Sequence, residues 1–387
     1  MSHLSSSASP GLATRIIFFV AGFVTAVWAV IVPFARHHTG VNEATLGTLL
    51  LCLGVGALIA MPATGGLTSR FGCRRVILTA ITAIVLSMPF LPLITNPFFL
   101  GVTLLLFGVG VGITDCAMNI QAILVEKQSP VPVMSGFHGM YSIGGFAGAA
   151  VMTLLLSTGV TIFAGTLLAT LAVILLTALS RRGLLTYANP KEGPAFAVPR
   201  GSVLLLGMIC FAVFLTEGTV LDWSAVYLTD VRAIPPALGG LGYTCFAVAM
   251  TAARLTGDRL ITKFGAVPVV LGGAVTAAAG LALVTFIPSW PVSLLGYMLA
   301  GVGCANIVPV MFSAVGRQTD MPQAVAVPAI TTMGYVGVLS GPAIIGYVAH
   351  YSTLSFSFSL VMLLMLVVGV TALTLNLGKK STTVENS

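Results

Sequence analysis

The chain has 387 residues, of which 57% are apolar and 7% are charged, and its formal net charge is +7. Its mean hydropathy is +1.06, whereas about a quarter of the residues in a soluble domain are charged. This composition excludes a soluble globular protein and predicts an all-α membrane protein. The basic residues are dispersed between apolar blocks, so the positive charge does not predict a nucleic-acid-binding surface.

Twelve apolar blocks each reach the roughly 20 residues that a helix needs to cross the hydrocarbon core. The first six blocks are 15–36, 44–66, 75–95, 98–124, 132–156 and 159–180. The second six are 201–228, 236–257, 266–287, 291–316, 323–348 and 353–377. We therefore predict a six-helix bundle over 1–180, a polar linker over 181–200 and a second six-helix bundle with a short tail over 201–387.

The distribution of positive charge predicts the orientation in the membrane. If the N-terminus is cytoplasmic, all of the 17 Lys and Arg residues fall on the cytoplasmic side except Arg36, Arg232 and Arg254. Cytoplasmic loops of inner-membrane proteins carry such an excess of basic residues. We therefore expect a multi-pass protein of the cell inner membrane with both termini in the cytoplasm and a cytoplasmic linker.

An internal repeat relates the two halves. Gly108-Val109-Gly110 recurs as Gly301-Val302-Gly303, an offset of 193 residues. At the same offset Leu67, Arg70, Phe71 and Gly72 recur as Leu260, Lys263, Phe264 and Gly265. The offset is half the chain and preserves the helix number within each half, so duplication of a six-helix unit explains it.

The loop after the second span carries the strongest family signal. It reads Gly65-Gly-Leu-Thr-Ser69-Arg70-Phe-Gly72-Cys73-Arg74-Arg75, which resembles the Gly-x-Leu-x-Asp-Arg-x-Gly-Arg-Arg pattern of the major facilitator superfamily. The resemblance implies a major facilitator fold of 12 transmembrane helices in two pseudo-symmetric bundles, and a gating role for Arg70 and Arg74. Ser69 replaces the usual acid and Cys73 one basic residue, which weakens the charge latch that this loop forms in the family.

Two further stretches resemble the branch of that superfamily that contains the fucose/glucose/galactose–proton symporters and rhizopine-carrier-like proteins. They are Asp115-Cys-Ala-Met-Asn119, followed by His138-Gly-Met-Tyr141-Ser, and Glu217 with Trp223 six positions later. The resemblance implies proton-coupled transport of a sugar, polyol or related metabolite. The sugar symporters also carry an acid in the first span, where this chain has Ala29.

Asp115 is the first candidate for proton coupling. A charge at the centre of a bilayer costs on the order of 3 kcal/mol or more, so an acid kept there lines a cavity or has a partner. Asn119 follows one helical turn later and shares its face, which makes it a candidate for substrate binding. The alternative is a structural acid that is hydrogen-bonded between helices.

The seventh span offers Glu217, Asp222 and Trp223. Residues five apart on a helix project about 140° apart, so the two acids do not serve one face. We predict Glu217 as the buried, proton-coupling acid and Asp222 as a substrate contact nearer the helix end. Trp223 either stacks on a sugar ring or lies in the interfacial aromatic belt.

Arg254 and Asp258 are four residues apart near the predicted cytoplasmic end of the eighth span, the spacing of an intrahelical ion pair. We interpret them as gating residues. Direct binding of an anionic substrate by Arg254 is the alternative.

Four polar residues in apolar spans complete the candidate substrate site: Gln121, His138, Tyr141 and Asn306. Each is able to contact a solute, and each has a packing role as its alternative, because amides and hydroxyls also hydrogen-bond between helices. Tyr141 shares a face with His138.

Enzymatic and nucleotide-driven functions are not supported by the sequence. Gly108-Val-Gly110-Val-Gly112 follows no strand, so it predicts close helix packing and not a nucleotide loop. The six cysteines have no metal-type spacing, and we expect no metal, no cofactor and no disulfide. An intramembrane enzyme or a receptor is a distant alternative.

We predict a monomeric secondary transporter that moves a small polar organic solute together with protons. A proton-driven exporter of drugs or metabolites is the closest alternative. The fifth span lacks the proline of the Gly-x-x-x-Gly-Pro-x-x-Gly-Gly-like stretch that is typical of such antiporters.

Overall fold

The computed structural model describes residues 9–41, 43–188, 198–235 and 238–375. Residues 189–197 of the predicted linker, including Lys191, lie outside the described residues. The end of the predicted tail, with Lys379 and Lys380, lies outside them as well.

Within the described ranges the regular structure is helical and contains no strand. A helix satisfies its own backbone N–H and C=O groups, which a hydrocarbon environment requires. The helices are α1 (Pro10–Thr39), α2 (Glu43–Ser87), α3 (Pro97–Lys127), α4 (Met134–Ser157), α5 (Ile162–Ser180), α6 (Gly201–Val226), α7 (Leu241–Phe264), α8 (Ala266–Phe286), α9 (Trp290–Cys304), α10 (Ile307–Val315), α11 (Gln323–Tyr351) and α12 (Leu354–Thr374).

Ten segments of the described chain are long and apolar enough to cross a membrane, with α9 and α10 forming one of them. The 45 residues of α2 are about twice what one crossing needs, so α2 accounts for two predicted spans. The 24-residue α7 is also long enough, but its four charged residues lower its hydropathy. With α2 counted twice and α7 included, the structure has the twelve crossings that the sequence predicts.

The second and third spans, predicted at 44–66 and 75–95, are two helices as expected, but they are longer than predicted and no loop separates them. The two helices run directly into each other within α2, which bends at Gly72 (φ 78°, ψ 157°). A β-carbon on Gly72 would overlap the carbonyl oxygen of Thr186. Both the positive φ and the close approach therefore require glycine here.

The eighth and tenth spans also differ from the prediction. The eighth, predicted at 236–257, is displaced, because α7 continues through Arg259 and Lys263 and ends before Gly265 (φ 85°). The tenth, predicted at 291–316, has nearly the expected bounds as the segment Trp290–Val315, but its helix is interrupted between α9 and α10 at Ala305 and Asn306. The seventh span continues beyond α6 as a π-helical turn, Tyr227–Val231.

The helix contacts of the first half recur at equivalent positions in the second half. A β-carbon on Gly108 in α3 would overlap the carbonyl oxygen of Leu53 in α2, and one on Gly301 in α9 would overlap that of Phe246 in α7. Both members of the second pair lie 193 residues after those of the first. Gly144 meets Phe19 and Gly337 meets Phe211 in the same kind of contact, although the two phenylalanines are 192 and not 193 residues apart. In lipid the hydrophobic effect does not drive helices together, so close backbone contacts of this kind hold them together.

The bend within α2 and the bend that follows α7 have nearly the same backbone geometry. Gly265 adopts nearly the backbone angles of Gly72, and it follows α7 as Gly72 follows the first half of α2. The Arg70 guanidinium lies 5.1 Å from the centre of the Phe71 ring, and the Lys263 ammonium lies 5.1 Å from that of Phe264. The duplication seen in the sequence is therefore present in three dimensions.

The chain divides into two compact units. The first contains Met1–Pro130, Gly136–Pro199 and Met321–Thr332, and the second contains Val131–Ser135, Arg200–Asp320 and Met333–Ser387. The first turns of α11 thus cluster with α1 to α5, and the very start of α4 clusters with α6 to α10. The simple boundaries at 180 and 201 stay a prediction.

We expect Gly108→Ala and Gly301→Ala to destabilise the protein by about 1–3 kcal/mol, the usual cost of overpacking. The added methyl group meets a backbone carbonyl that a side-chain rotation does not clear. The measurement is the midpoint of thermal unfolding of the purified protein in detergent. Gly272→Ala is the control, because a β-carbon there has no neighbouring atom within 4 Å. Equal midpoints for all three variants would contradict the packing role.

Candidate functional site

Asp115 lies in the second half of α3, in the first unit, and is half-buried. Its neighbours Thr114 and Cys116 are buried, as is almost every residue from there to Leu124. The Asp115 carboxyl has neither a hydrogen bond nor an ion pair with any residue of the described ranges. An unpaired acid that keeps some accessible surface is the arrangement expected for a group that exchanges protons.

Asn119 lies one turn after Asp115, as the spacing predicts, but it bonds to the main chain. Its Nδ2 donates to the backbone carbonyl of Asp115 at 2.9 Å. The Asn119 side chain is buried, and its Oδ1 has no hydrogen-bond partner among the described residues. This oxygen remains available to a donor.

Gln121 joins three segments of the first unit. Its Nε2 donates to Thr14 Oγ1 in α1 at 3.0 Å, and its Oε1 accepts from the backbone N–H of Leu185, after α5, at 3.1 Å. Both ends of the amide are therefore used in helix packing. These bonds account for the residue without a solute.

His138 and Tyr141 lie on α4 and both face α1. The His138 ring meets Phe18 edge-on at 5.2 Å between centroids. The Tyr141 hydroxyl donates to Thr25 Oγ1 at 3.4 Å. They thus share one side of the helix, as their spacing predicts.

The second unit contains a buried ion pair that joins α6 to α7. Arg254 donates from one terminal nitrogen to Glu217 Oε1 at 3.2 Å, and its Nε donates to the carbonyl oxygen of Ala305 at 3.2 Å. The side chains of Arg254 and Glu217 are 8% and 19% exposed. The guanidinium is therefore neutralised inside the unit, and it also anchors the break between α9 and α10.

Asn306 completes this cluster. Its Nδ2 donates to the backbone carbonyl of Ala253 at 3.2 Å. Its buried Oδ1 has no hydrogen-bond partner in the described chain. It therefore resembles Asn119 of the first unit in offering one buried acceptor.

The location predicted for Arg254, near the cytoplasmic end of its span, is wrong. Because α7 continues to Phe264, Arg254 lies in the interior of the helix and is buried. Asp258, one turn later, accepts a hydrogen bond from the backbone N–H of Ser135 at 2.9 Å. Ser135 belongs to the first turn of α4, so the carboxylate of Asp258 lies at a helix N-terminus, where a negative charge is favourable.

Asp222 and Trp223 lie near the other end of α6. Asp222 is exposed, whereas Trp223 is half-buried. A β-carbon on Gly346 of α11 would lie 2.9 Å from the Trp223 ring. The indole thus packs against α11 within the second unit, and a solute contact for either residue stays a prediction.

Arg70 and Arg74 differ in their surroundings. Arg70 is exposed over Phe71. Arg74 donates to the carbonyl oxygens of Leu184 and Arg182, at 3.0 and 2.8 Å. Arg74 therefore fixes the bend in α2 to the segment after α5, while the buried Ser69 Oγ at the usual acid position has no hydrogen-bond partner in the described residues.

Two polar contacts were missed by sequence reasoning. Arg232, placed only in an outer loop, donates to Ser293 Oγ at 3.2 Å and to the last carbonyls of α8, among them that of Thr285. Asp320, before α11, accepts from the hydroxyl and backbone N–H of Ser202, both at 2.6 Å. These bonds hold the pKa of Asp320 below its usual value. Neither partner is near in sequence, so no local pattern signals it.

Comparison with known proteins identifies the architecture. The profile of the Major Facilitator Superfamily matches residues 15–241 and 223–386. An MFS-type transporter of Yersinia pestis, described as uncharacterized, is 46% identical over 366 residues, which cover 94% of this chain and 95% of the relative. The membrane protein MosC of Rhizobium meliloti is 31% identical over 335 residues, which cover 86% and 82%.

Among solved structures, the fold is shared with the fucose:proton symporter FucP of E. coli. The TM-score is 0.79 over 96% of this chain and 99% of FucP, at 16% sequence identity. At this identity the likeness concerns the fold alone.

Glu217→Leu is expected to destabilise the protein more than Arg254→Leu. The first variant leaves a buried guanidinium that does not release its proton, whereas the second leaves a carboxylate that is neutralised by taking one up. We expect Glu217→Leu to cost about 3–5 kcal/mol, the range for breaking a buried pair, in thermal unfolding in detergent. Glu217→Gln keeps an acceptor and should lose less. Equal losses in the two Leu variants would contradict this account.

Proposed function

Because the chain belongs to the major facilitator superfamily, whose members are transporters and not enzymes, we propose that it moves a small polar organic solute across the inner membrane together with protons. Alternating access of the two bundles is the corresponding mechanism. The excess of Lys and Arg on one side supports cytoplasmic termini.

The unpaired carboxyl of Asp115 carries this proposal. A membrane protein keeps an acid at this depth when the acid has a partner or serves a pathway. Asp115 has no partner among the described residues, so we assign it to proton binding. No change of ion pair is needed when it takes up or releases a proton.

Glu217 is the second proton-coupling residue that we propose. Protonation removes the negative charge that faces Arg254 at 3.2 Å, which frees the guanidinium for other partners. Proton uptake at Glu217 therefore changes the environment of α6, α7 and the α9–α10 break together.

The two buried amide oxygens favour a solute that is rich in hydroxyl groups. Asn119 Oδ1 and Asn306 Oδ1 each lack a donor among the described residues, and a buried acceptor left unpaired is costly. Hydroxyl hydrogens of a sugar or polyol satisfy such acceptors. The shared fold with a fucose:proton symporter is compatible with that class. His138, Tyr141, Asp222 and Trp223 are further proposed contacts, whereas Gln121 is assigned to packing.

Asp258 is proposed as a gating residue that acts through the start of α4. Its bond to Ser135 N–H holds the first turn of that helix within the second unit. Its counterpart in the first repeat is Gly65, where a β-carbon would overlap the carbonyl oxygen of Ala324 at the start of α11. Arg74 and Arg254 are proposed to support gating through the main-chain segments to which they donate hydrogen bonds. The exposed Arg70 is a further proposed gating residue.

Asp115→Asn is expected to abolish proton-coupled flux, because an amide does not take up and release a proton. The protein is reconstituted in vesicles that contain a pH-sensitive dye, and fucose, xylose and sorbitol are added in turn to find a solute that drives proton movement. The variant should lose this signal while still purifying as a folded protein.

Asp230→Asn is the control for this experiment. Asp230 is an exposed carboxylate of the π-helical turn, so its replacement should leave the proton signal unchanged. Unaltered coupled flux in Asp115→Asn would remove Asp115 from the mechanism.

Asp258→Asn is expected to loosen the first turn of α4, because the charge at the helix N-terminus is lost. Hydrogen–deuterium exchange of peptides covering 131–140 should become faster. Asp320→Asn is the matched control, since Asp320 also accepts from a backbone N–H at the start of a helix. It should accelerate exchange at the start of α6 only. Unchanged exchange at 131–140 in Asp258→Asn would exclude the proposed gate contact.

A further inference from the structure

An apolar groove lies on the surface of the second unit where α7, α8 and α9 meet. Its volume is about 360 Å³, within the range of small-molecule sites. Leu260, Phe264 and Val302 line it and are 38%, 55% and 44% exposed. The groove is therefore open to the surroundings of the helices, which for these apolar residues is lipid.

Comparison with the first repeat shows how the sequence opens this groove. Leu260, Phe264, Val269 and Val302 are identical to the residues 193 positions earlier: Leu67, Phe71, Val76 and Val109. At three other lining positions the side chain is smaller than that of its counterpart: Pro268 replaces Arg75, Gly272 replaces Thr79 and Gly273 replaces Ala80. Among the remaining lining residues, Thr276 is larger than its counterpart Ala83 and Asn306 replaces Ile113. The loss of side-chain volume is therefore confined to the first part of α8.

Gly272 shows that the resulting space is unfilled by the protein. A β-carbon built on this residue has no atom within 4 Å other than those of its own helix turn. Well-packed helix contacts in this chain leave no such room, as Gly108 and Gly301 show. Gly272 is exposed, so in a membrane the surrounding lipid supplies the apolar group that occupies this space.

The length of the groove matches one leaflet of a bilayer. Its lining on α7 extends from Ala253 to Phe264, which corresponds to ~16 Å at 1.5 Å per residue. This is about half of the ~30 Å hydrocarbon core. One acyl chain of a lipid in that leaflet fits such a groove, whose inner end is at Asn306.

Two basic side chains lie near the open end of the groove. The Lys263 ammonium lies against the ring of Phe264, 5.1 Å from its centre, and Phe264 is a lining residue. Arg259 is exposed one helical turn earlier on the same face. The acid nearest to them on α7, Asp258, points its carboxylate at Ser135 N–H. The end of the groove is therefore positively charged.

We propose that this groove is a binding site for an anionic phospholipid, with one acyl chain between α7, α8 and α9 and the phosphate on Lys263 and Arg259. Basic residues beside a helix cleft are a recognised arrangement for anionic head groups. The leaflet is the cytoplasmic one if the proposed orientation holds. The binding itself depends neither on that orientation nor on the transported solute.

The test is native mass spectrometry of the purified full-length protein in detergent, with phosphatidylglycerol or phosphatidylcholine added. The wild type should retain phosphatidylglycerol several-fold better. Lys263→Gln combined with Arg259→Gln should reduce phosphatidylglycerol retention to the phosphatidylcholine level. Gly272→Leu, which fills the groove, should reduce retention of both lipids, and thermal unfolding verifies that each variant is folded.

Two matched controls distinguish the site from general attraction. Arg70→Gln removes the equivalent cation of the first repeat, and Gly66→Leu places a side chain at another open helical position. Both should bind phosphatidylglycerol like the wild type. The proposal is overturned if the wild type retains the two lipids equally, if Gly272→Leu binds normally, or if Arg70→Gln loses as much as the double variant.

Discussion

The close approach of helix backbones at glycine is the contact on which the rest of this structure depends. In hydrocarbon the apolar side chains of two helices gain little by leaving lipid, so association relies on dispersion and on contacts that only small residues permit. Gly108 against Leu53 and Gly301 against Phe246 provide such contacts in the two repeats. Because these contacts need no polar group, the few polar residues of the spans are free for other tasks.

The acid within the helices of each unit has a different electrostatic environment. In the second unit Glu217 faces Arg254, and the pair is tied to the main chain through Ala305. In the first unit Asp115 has no such partner in the described residues. A paired acid couples protonation to a rearrangement, whereas an unpaired acid responds to the proton alone. Two duplicated bundles have therefore diverged in electrostatics while their packing stayed alike.

Sequence patterns were sufficient for the family, the helical class and the number of crossings, because span length and hydropathy are local properties. They also placed Asp115 and Asn119 on one helix face. They failed where a boundary depends on tertiary contacts. Arg259 and Lys263 suggested an early end of α7, but both lie in its last turns, and the helix ends only where Gly265 adopts a positive φ. The bend in α2 depends on Gly72 meeting Thr186, more than one hundred residues away.

The partners of Arg254 could not be read from the sequence for the same reason. Glu217 is 37 residues away and Ala305 is 51 residues away, and helical spacing suggests only neighbours on the same helix. The hydrogen bonds of Gln121 to Thr14 and Leu185 are likewise invisible to any pattern. A list of polar residues in apolar spans names candidates without showing which of them already have hydrogen-bond partners.

The transmembrane segment formed by α9 and α10 is interrupted between its two helices, Trp290–Cys304 and Ile307–Val315. The break begins at Ala305, whose carbonyl oxygen accepts a hydrogen bond from the Nε–H of Arg254. If Glu217 takes up a proton, as we propose, the change in its charge reaches this break through the guanidinium of Arg254. Under the same proposal a small tilt at the break displaces the far ends of both helices, so that one protonation event moves a whole transmembrane segment.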